Sequence, residues 1–254
     1  MSDPTVVKIG GSTLGAEDTT FSDIVALHES GQRPVVVHGG GALIDGWLDR
    51  LGVRSDFVQG LRATSAEALE IVVAVLRGVV NTQLVARIGE AGGRATGLSG
   101  VDGAMLRAER YDERLGFVGR ITSVDTNLLG ALIDAGSIPV IAPIGIEPPD
   151  QPLNINADTV AGEVAHALRA ARLIFLTNVD GLLDADGHVL PVIDAAEAGE
   201  LRRNGAISGG MIPKVEACFR AVESGAVAYI ANGRQPGTLR RIVAGEPVGT
   251  RIGG

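Results

Sequence analysis

Lysine is nearly missing from this 254-residue chain. Of its 22 basic side chains only Lys8 and Lys214 are lysines, and the rest are arginines. Arginine is thus the default solvated cation, and the two exceptions ask for a compact, movable ammonium instead of a planar fork. A phosphate in transfer makes that demand. Aromatics are scarce too, at 3%, which removes the stacking surface of a single-strand nucleic-acid binder. Lys and Arg never cluster beyond a pair and the net charge is −8, so no basic footprint for nucleic acid exists. The one cysteine, Cys218, cannot form an intrachain disulfide, which fits a reducing compartment. No apolar run approaches the ~20 residues that cross a bilayer. The start, Met1-Ser2-Asp3-Pro4, lacks a basic leader. The expectation is a cytoplasmic protein without nucleic-acid or membrane partners.

Glycine, by contrast, is abundant, at 36 residues. Short apolar runs at 5–9, 34–38, 94–98, 138–142, 173–177 and 227–231 alternate with amphipathic segments. Nearly continuous apolar runs suit strands covered on both faces, as in a parallel sheet. Leu69, Val72, Val73 and Leu76 follow helical spacing, as do Ala161, Val164, Ala165 and Leu168, and Val215, Cys218, Phe219 and Val222. Thr64-Ser65-Ala66-Glu67 reads as a capping box. The pattern predicts a three-layer α/β/α sandwich with a central, mainly parallel open sheet. Segments 105–124 and 181–191 read as hairpins added to it. The turn-rich stretch 147–152 marks a boundary between lobes at about 1–150 and 151–254.

Four polar turns follow predicted strands, where ligands bind in open α/β sheets. In Lys8-Ile9-Gly10-Gly11 a cation on an apolar strand needs an anionic partner, and the glycines let backbone amides approach an anion. Val37-His38-Gly39-Gly40-Gly41 joins a strand to a helix, the geometry of an anion site at a helix N-terminus or simply of a tight turn. His38 itself reads as a turn or packing residue. In Asn154-Ile155-Asn156-Ala157-Asp158, Asn156 reads as a helix cap and Asp158 as a complement to the dipole, but neither role needs Asn154. In Gly209-Gly210-Met211-Ile212-Pro213-Lys214, Lys214 sits at the positive end of a helix dipole, a place that a bound polyanion would make favourable. Other chemistries are unsupported. Gly10 to Gly15 has the spacing of a Walker loop, but Ala16-Glu17 follows instead of Lys-Ser/Thr. The four histidines make no metal spacing with Cys218. Ser99 lacks a histidine–acid pair for a hydrolase triad.

In this order the motifs resemble the amino-acid kinase family, and within it the bacterial N-acetylglutamate kinases. The resemblance runs from Val6 to Ile252 and includes Gly60-Leu61-Arg62-Ala63-Thr64, Gly97-Leu98-Ser99-Gly100 and Leu176-Thr177-Asn178-Val179-Asp180-Gly181. It implies transfer of a phosphoryl group from ATP, with Mg²⁺, to the side-chain carboxylate of N-acetyl-L-glutamate in arginine biosynthesis. It implies that Lys8 and Lys214 stabilise the moving phosphoryl group and the ATP phosphates, with Asp158 organising the two lysines. Gly10, Gly11, Gly40 and Gly41 would offer amides to phosphate and acetylglutamate, and Gly210 would border the nucleotide. Arg62 and Asn154 would hold the substrate α-carboxylate. Thr177, Asn178, Val179, Asp180, Gly181 and Leu182, with Ala206, Ile207 and Ser208, would frame the nucleotide. The acceptor carboxylate is ionised at neutral pH, so no general base is needed.

The chain departs from the family pattern at Ala42, Leu43, Gly46 and Thr82, none in a transferred catalytic role. Arginine-inhibited relatives carry a helix before the first strand. With only Met1–Pro4 there, the expectation is an arginine-insensitive homodimer. An N-acetyl-aminoadipate kinase of lysine synthesis is the neighbouring enzyme reading. A non-catalytic nucleotide or amino-acid sensor is the reading from another class.

Overall fold

The computed structural model describes residues 3–10, 19–58, 60–184 and 186–253. Its strands are β1 (Thr5–Ile9), β2 (Pro34–His38), β3 (Phe57–Val58), β4 (Leu61–Arg62), β5 (Ala95–Ser99), β6 (Leu106–Arg110), β7 (Gly119–Val124), β8 (Ile138–Ala142), β9 (Ile144–Glu147), β10 (Gln151–Asn154), β11 (Arg172–Thr177), β12 (Val192–Ile193), β13 (Val227–Asn232) and β14 (Thr250–Ile252). The α-helices are α1 (Thr20–Glu29), α2 (Gly41–Leu51), α3 (Ala66–Val73), α4 (Asn81–Glu90), α5 (Asn127–Asp134), α6 (Ala157–Ala167), α7 (Ala195–Arg203), α8 (Met211–Val222) and α9 (Thr238–Val243).

Eight strands form the central sheet in the order β12-β14-β13-β11-β1-β2-β8-β5. All its pairs are parallel except β13 with β14. Side chains alternate across each strand, and here both faces are apolar. Val6, Val35, Val37, Leu173 and Phe175 face one core, which takes in α5, α6 and α8. Val7, Ile9, Val36, Ile174 and Leu176 face the other, built with α1, α4 and α9. This is the expected three-layer arrangement. A smaller core lies under α2 and α3.

The hairpin expected at 105–124 is present as β6–β7, with a bulge between Arg107 and Ala108. It belongs to a four-stranded sheet, β10-β9-β6-β7, which the sequence did not reveal. The turn-rich stretch 147–152 is the bend between β9 and β10, which pair antiparallel. Prolines masked these short strands. In the 181–191 hairpin the described residues pair through an antiparallel bridge, Leu183 to Val189, with the Leu190 N–H donating to the Leu182 carbonyl at 2.8 Å.

Segment 66–90 is one continuous helix in which a π-helical stretch, Ala74–Val80, joins α3 to α4. By length and composition it could cross a bilayer. Its apolarity has another use here, since Ala68, Val72, Val75, Leu76, Leu84 and Ile88 are buried against the rest of the molecule. The capping box expected at Thr64 does not form. Ser65 is the cap, its side chain accepting from the Ala68 N–H at 3.1 Å. Thr64 is buried and its hydroxyl is engaged elsewhere.

Candidate active site

Strands β1 and β11 are neighbours at the middle of the sheet, and the chain leaves them toward opposite edges. Ligands bind outside the carboxyl ends of strands at such a switch point. Lys8 is the fourth residue of β1 and shares the Val6 face, on which α6 packs. It is only 7% exposed. A buried ammonium is costly unless paired, and Asp158 in the first turn of α6 supplies the partner.

Asp158 is itself buried and faces both lysines. Lys8 Nζ is 2.7 Å from Oδ1, and Lys214 Nζ is 2.7 Å from Oδ2. The Lys8 contact is a buried ion pair. Lys214 also donates to the Gly210 carbonyl at 3.1 Å. Burial alone would raise the Asp158 pKa, but Lys8 and Lys214 overcome it and hold the carboxyl below its ordinary value. For Lys8 the balance is reversed. Burial lowers its pKa, with Lys214 adding to the effect and Asp158 opposing it. One carboxylate thus serves two ammonium groups and leaves a net positive site.

Helix packing brings Lys214 into reach. A Cβ on Gly162 of α6 would lie 2.8 Å from the Cα, Cβ and carbonyl oxygen of Ala217 on α8. Only glycine allows that approach, which sets Lys214 beside Asp158. Asn156 caps α6, its side chain accepting from the Asp158 and Thr159 N–H groups at 2.8 and 3.1 Å. The capping role expected of Asn156 is therefore present, while Asp158 does much more than complement a dipole.

Next to the lysines a cavity of about 190 Å³ opens, with Lys8, Gly40, Gly41, Arg62, Asn154 and Asp158 in its wall. Gly40 is the N-cap of α2, which has no side-chain cap, so the first amides of the helix can serve an anion. Arg62 on β4 is buried, with Nη2 2.6 Å from Asp45 Oδ1 on α2 and its guanidinium 4.6 Å over the Phe57 ring. Asn154 at the end of β10 donates to the Thr64 hydroxyl at 3.1 Å, and that hydroxyl donates to the Arg62 carbonyl at 2.8 Å. Asp45 and Thr64 were missed by sequence reasoning. From sequence Thr64 reads as part of the helix cap, and Asp45 carries no local signal.

The expected nucleotide-framing residues lie outside this cavity wall, near the same edge of the sheet. Thr177 ends β11, beside the β1 register in which Ile9 pairs with Leu176. Its hydroxyl bonds the Val179 and Ala231 carbonyls at 3.0 and 3.2 Å. Asn178, Val179 and Asp180 are exposed. Asp180 Oδ1 accepts from Asn232 and Gln235 at 2.8 and 3.0 Å. Gly181 has no room for a Cβ, which would meet Thr250 Oγ1 at 2.6 Å, and Leu182 N–H donates to that hydroxyl. Ala206, Ser208 and Gly210 are exposed ahead of α8, whereas Ile207 is buried. Gly10 is half-buried at the end of β1, and Gly11 falls outside the described residues.

Residues 3–232 match the model of the amino acid kinase family. The chain is 41% identical to the acetylglutamate kinase of Dehalococcoides mccartyi strain 195 over 253 residues, covering 97% of this chain and 93% of that protein. It is 46% identical to the acetylglutamate kinase of Rhodopseudomonas palustris strain CGA009, covering 97% and 89%. The solved structure of smu.665 from Streptococcus mutans UA159 superposes with a TM-score of 0.88 at 30% identity, over 100% of this chain and 99% of that one. A match of this breadth, on a fold whose mainly parallel sheet and flanking helix α8 bring two lysines onto one buried carboxylate, means that the chain belongs to the amino acid kinase family.

Proposed function

We propose that this enzyme transfers the γ-phosphoryl group of ATP to the side-chain carboxylate of N-acetyl-L-glutamate, giving N-acetyl-L-glutamyl 5-phosphate and ADP in arginine biosynthesis. The observation that carries the reading is the Lys8–Asp158–Lys214 arrangement beside the cavity holding Arg62 and Asn154. Its relatives at 40–46% identity are acetylglutamate kinases. Two anions must meet in this reaction, and the acceptor needs no deprotonation. The demand is for positive charge that tracks the moving phosphoryl group. Lys8 and Lys214 meet it in this reading, with the Gly40 and Gly41 amides. Asp158 keeps the two ammonium groups apart and aimed. Arg62 and Asn154 hold the α-carboxylate, with Arg62 passing from Asp45 to the substrate or sharing its fork between them. Residues 177–182, 206–208 and 210 frame the nucleotide, which suits the exposure of Asn178, Val179, Asp180, Ala206, Ser208 and Gly210 at the sheet edge.

Mg²⁺ bound with ATP would supply positive charge that offsets the negative triphosphate. Both Asp158 oxygens are engaged by ammonium groups, so the phosphates, more than this carboxylate, would hold the ion. A division into an acetylglutamate lobe and a nucleotide lobe near residue 150, and a homodimer in solution, belong to the same reading. Sedimentation equilibrium tests the dimer.

The deciding assay is Mg·ATP-dependent acyl-phosphate formation trapped with hydroxylamine, offering N-acetylglutamate, N-acetyl-aminoadipate and glutamate in parallel. Preference for N-acetylglutamate is expected. Preference for N-acetyl-aminoadipate would keep the chemistry and move the pathway. No product from any acceptor would overturn the reading in favour of a sensor.

A further inference from the structure

Behind the glycine loop lies a polar cluster that phosphotransfer does not use directly. His38 is buried at the carboxyl end of β2. Its Nδ1 is 3.0 Å from the Gly39 carbonyl oxygen, and its Nε2 is 3.0 Å from Asn81 Nδ2. A carbonyl only accepts and an amide nitrogen only donates. The ring is therefore the neutral tautomer with its proton on Nδ1. Burial brings the His38 pKa down to about 4, and the nearby charges of Lys8 and Arg77 act in the same direction. It is a hydrogen-bonding element at neutral pH and no proton carrier.

Asn81, the first residue of α4, is fully buried. Its Nδ2 also donates to the Val140 carbonyl of β8 at 2.8 Å, and its Oδ1 accepts from Arg77 at 3.3 Å. Arg77 in turn donates to the Gly97 carbonyl of β5 at 3.1 Å. A Cβ on Gly97 would lie 2.0 Å from Asn81 Oδ1, so β5 leaves a space that this side chain fills. An apolar side chain would fill a core position at lower desolvation cost. The polar pair is fully bonded instead, and its contact toward the site is the Gly39 carbonyl.

That carbonyl shares a rigid plane with the Gly40 N–H. Holding one end of the peptide aims the other. Leu76 and Val80 brace Gly40, since a Cβ there would lie 2.8 Å from Leu76 Cδ2 and 3.2 Å from Val80 Cγ2. Both belong, with Arg77, to the π-helical stretch just before Asn81. Such insertions concentrate at functional sites. Here the stretch carries Leu76 and Val80 to the loop and Arg77 to Asn81.

We propose that Asn81 and His38 are positioning residues that act through the Gly39 carbonyl to aim the Gly40 N–H at the transferring phosphoryl group. The proposal rests on the phosphotransfer reading above. Its test compares His38→Phe, Asn81→Leu and His38→Asn in the full chain. Asparagine at 38 keeps a donor for the Gly39 carbonyl, whereas phenylalanine keeps only volume. Because the amide acts on the transition state, kcat should fall about tenfold or more in His38→Phe and Asn81→Leu while KM for ATP stays put, and His38→Asn should recover most of it. Assays run well below each melting temperature, where a packing loss alone leaves kcat intact. Parental kcat in folded His38→Phe and Asn81→Leu would overturn the proposal. If those variants do not fold, ¹⁵N spectra of the parent decide. The proposal requires a protonated Nδ1 and bare Nε2 on His38, and a Gly40 amide shift when ADP, Mg²⁺ and aluminium fluoride are added together. A proton on Nε2, or a silent Gly40 amide, counts against it. A parent without kinase activity would sink the functional reading. The positioning role is then judged by the Gly40 amide in His38→Asn and Asn81→Leu without ligand: displacement in Asn81→Leu exceeding that in His38→Asn supports it, and unmoved, equal or reversed displacements reject it.

Discussion

Lys8 meets Asp158 at the wall of the cavity as a compact ammonium. It lies within 2.7 Å of Asp158, and a Cβ on Gly39 would be 3.9 Å from its Nζ. A guanidinium is wider, planar and fixed in its donor directions. Lys8→Arg should therefore keep the charge yet lose about 100-fold or more in kcat, with a much smaller change in the KM for ATP. Steady-state kinetics with both substrates check this, and a parental kcat would remove Lys8 from the chemistry. The sequence made this site legible through contrast, because Lys8 and Lys214 are the only two lysines in an arginine-rich chain. Arg62 was legible as a motif, but its ion pair with Asp45 was not, since the partners come from α2 and β4.

Helices α6 and α8 carry Asp158 and Lys214, and their separation is set by Gly162 against Ala217. Gly162→Ala inserts a methyl into a space that is already full. Overpacking of this kind costs about 1–3 kcal/mol, and here it also pushes Lys214 away from Asp158. Both melting temperature and kcat should fall. Adding Ala217→Gly removes one of the three clashing atoms and should restore part of both. Calorimetry and kinetics on the single and double variants test the coupling, and a lowered melting temperature with unchanged kcat would separate packing from chemistry. Apolar spacing on these helices was readable in advance, as Ala161, Val164, Ala165, Val215 and Cys218 are all buried. Glycine at 162 gave no such signal, because the need for it arises only where two helices touch.

The stability of the whole molecule should fall in mild acid, and His38 is one cause. Its native pKa is about 4, against ~6.5 for an unfolded histidine. Between those values the unfolded chain takes up a proton that the native one refuses. Stability is thus complete above about pH 6.5 and declines toward pH 4, by about 3 kcal/mol from this group. Asp158 acts later and with the other sign of charge. Its depressed pKa makes its contribution complete above the ordinary carboxylate range and removes it as pH falls through the native value. Melting temperatures of the parent and of His38→Asn from pH 7.5 to 4 check the histidine part. The variant's curve should be flatter, and parallel curves would exclude His38.

Local pattern determined the alternation of strands and helices, because covered strands and amphipathic helices each leave a period in the sequence. It determined the glycine-rich turns and the two lysines for the same reason, as residue types that tight turns and mobile phosphate demand. Tertiary structure alone decided who meets whom. Thr64 reads as a cap but bonds Asn154, and Ser65 takes the cap instead. His38 reads as packing but bonds Asn81, which lies 43 positions away. The strands β9 and β10 hide among prolines until β6 and β7 complete their sheet. Such pairings depend on distances across the folded chain, and a buried polar group shows its purpose only when its partner is in place.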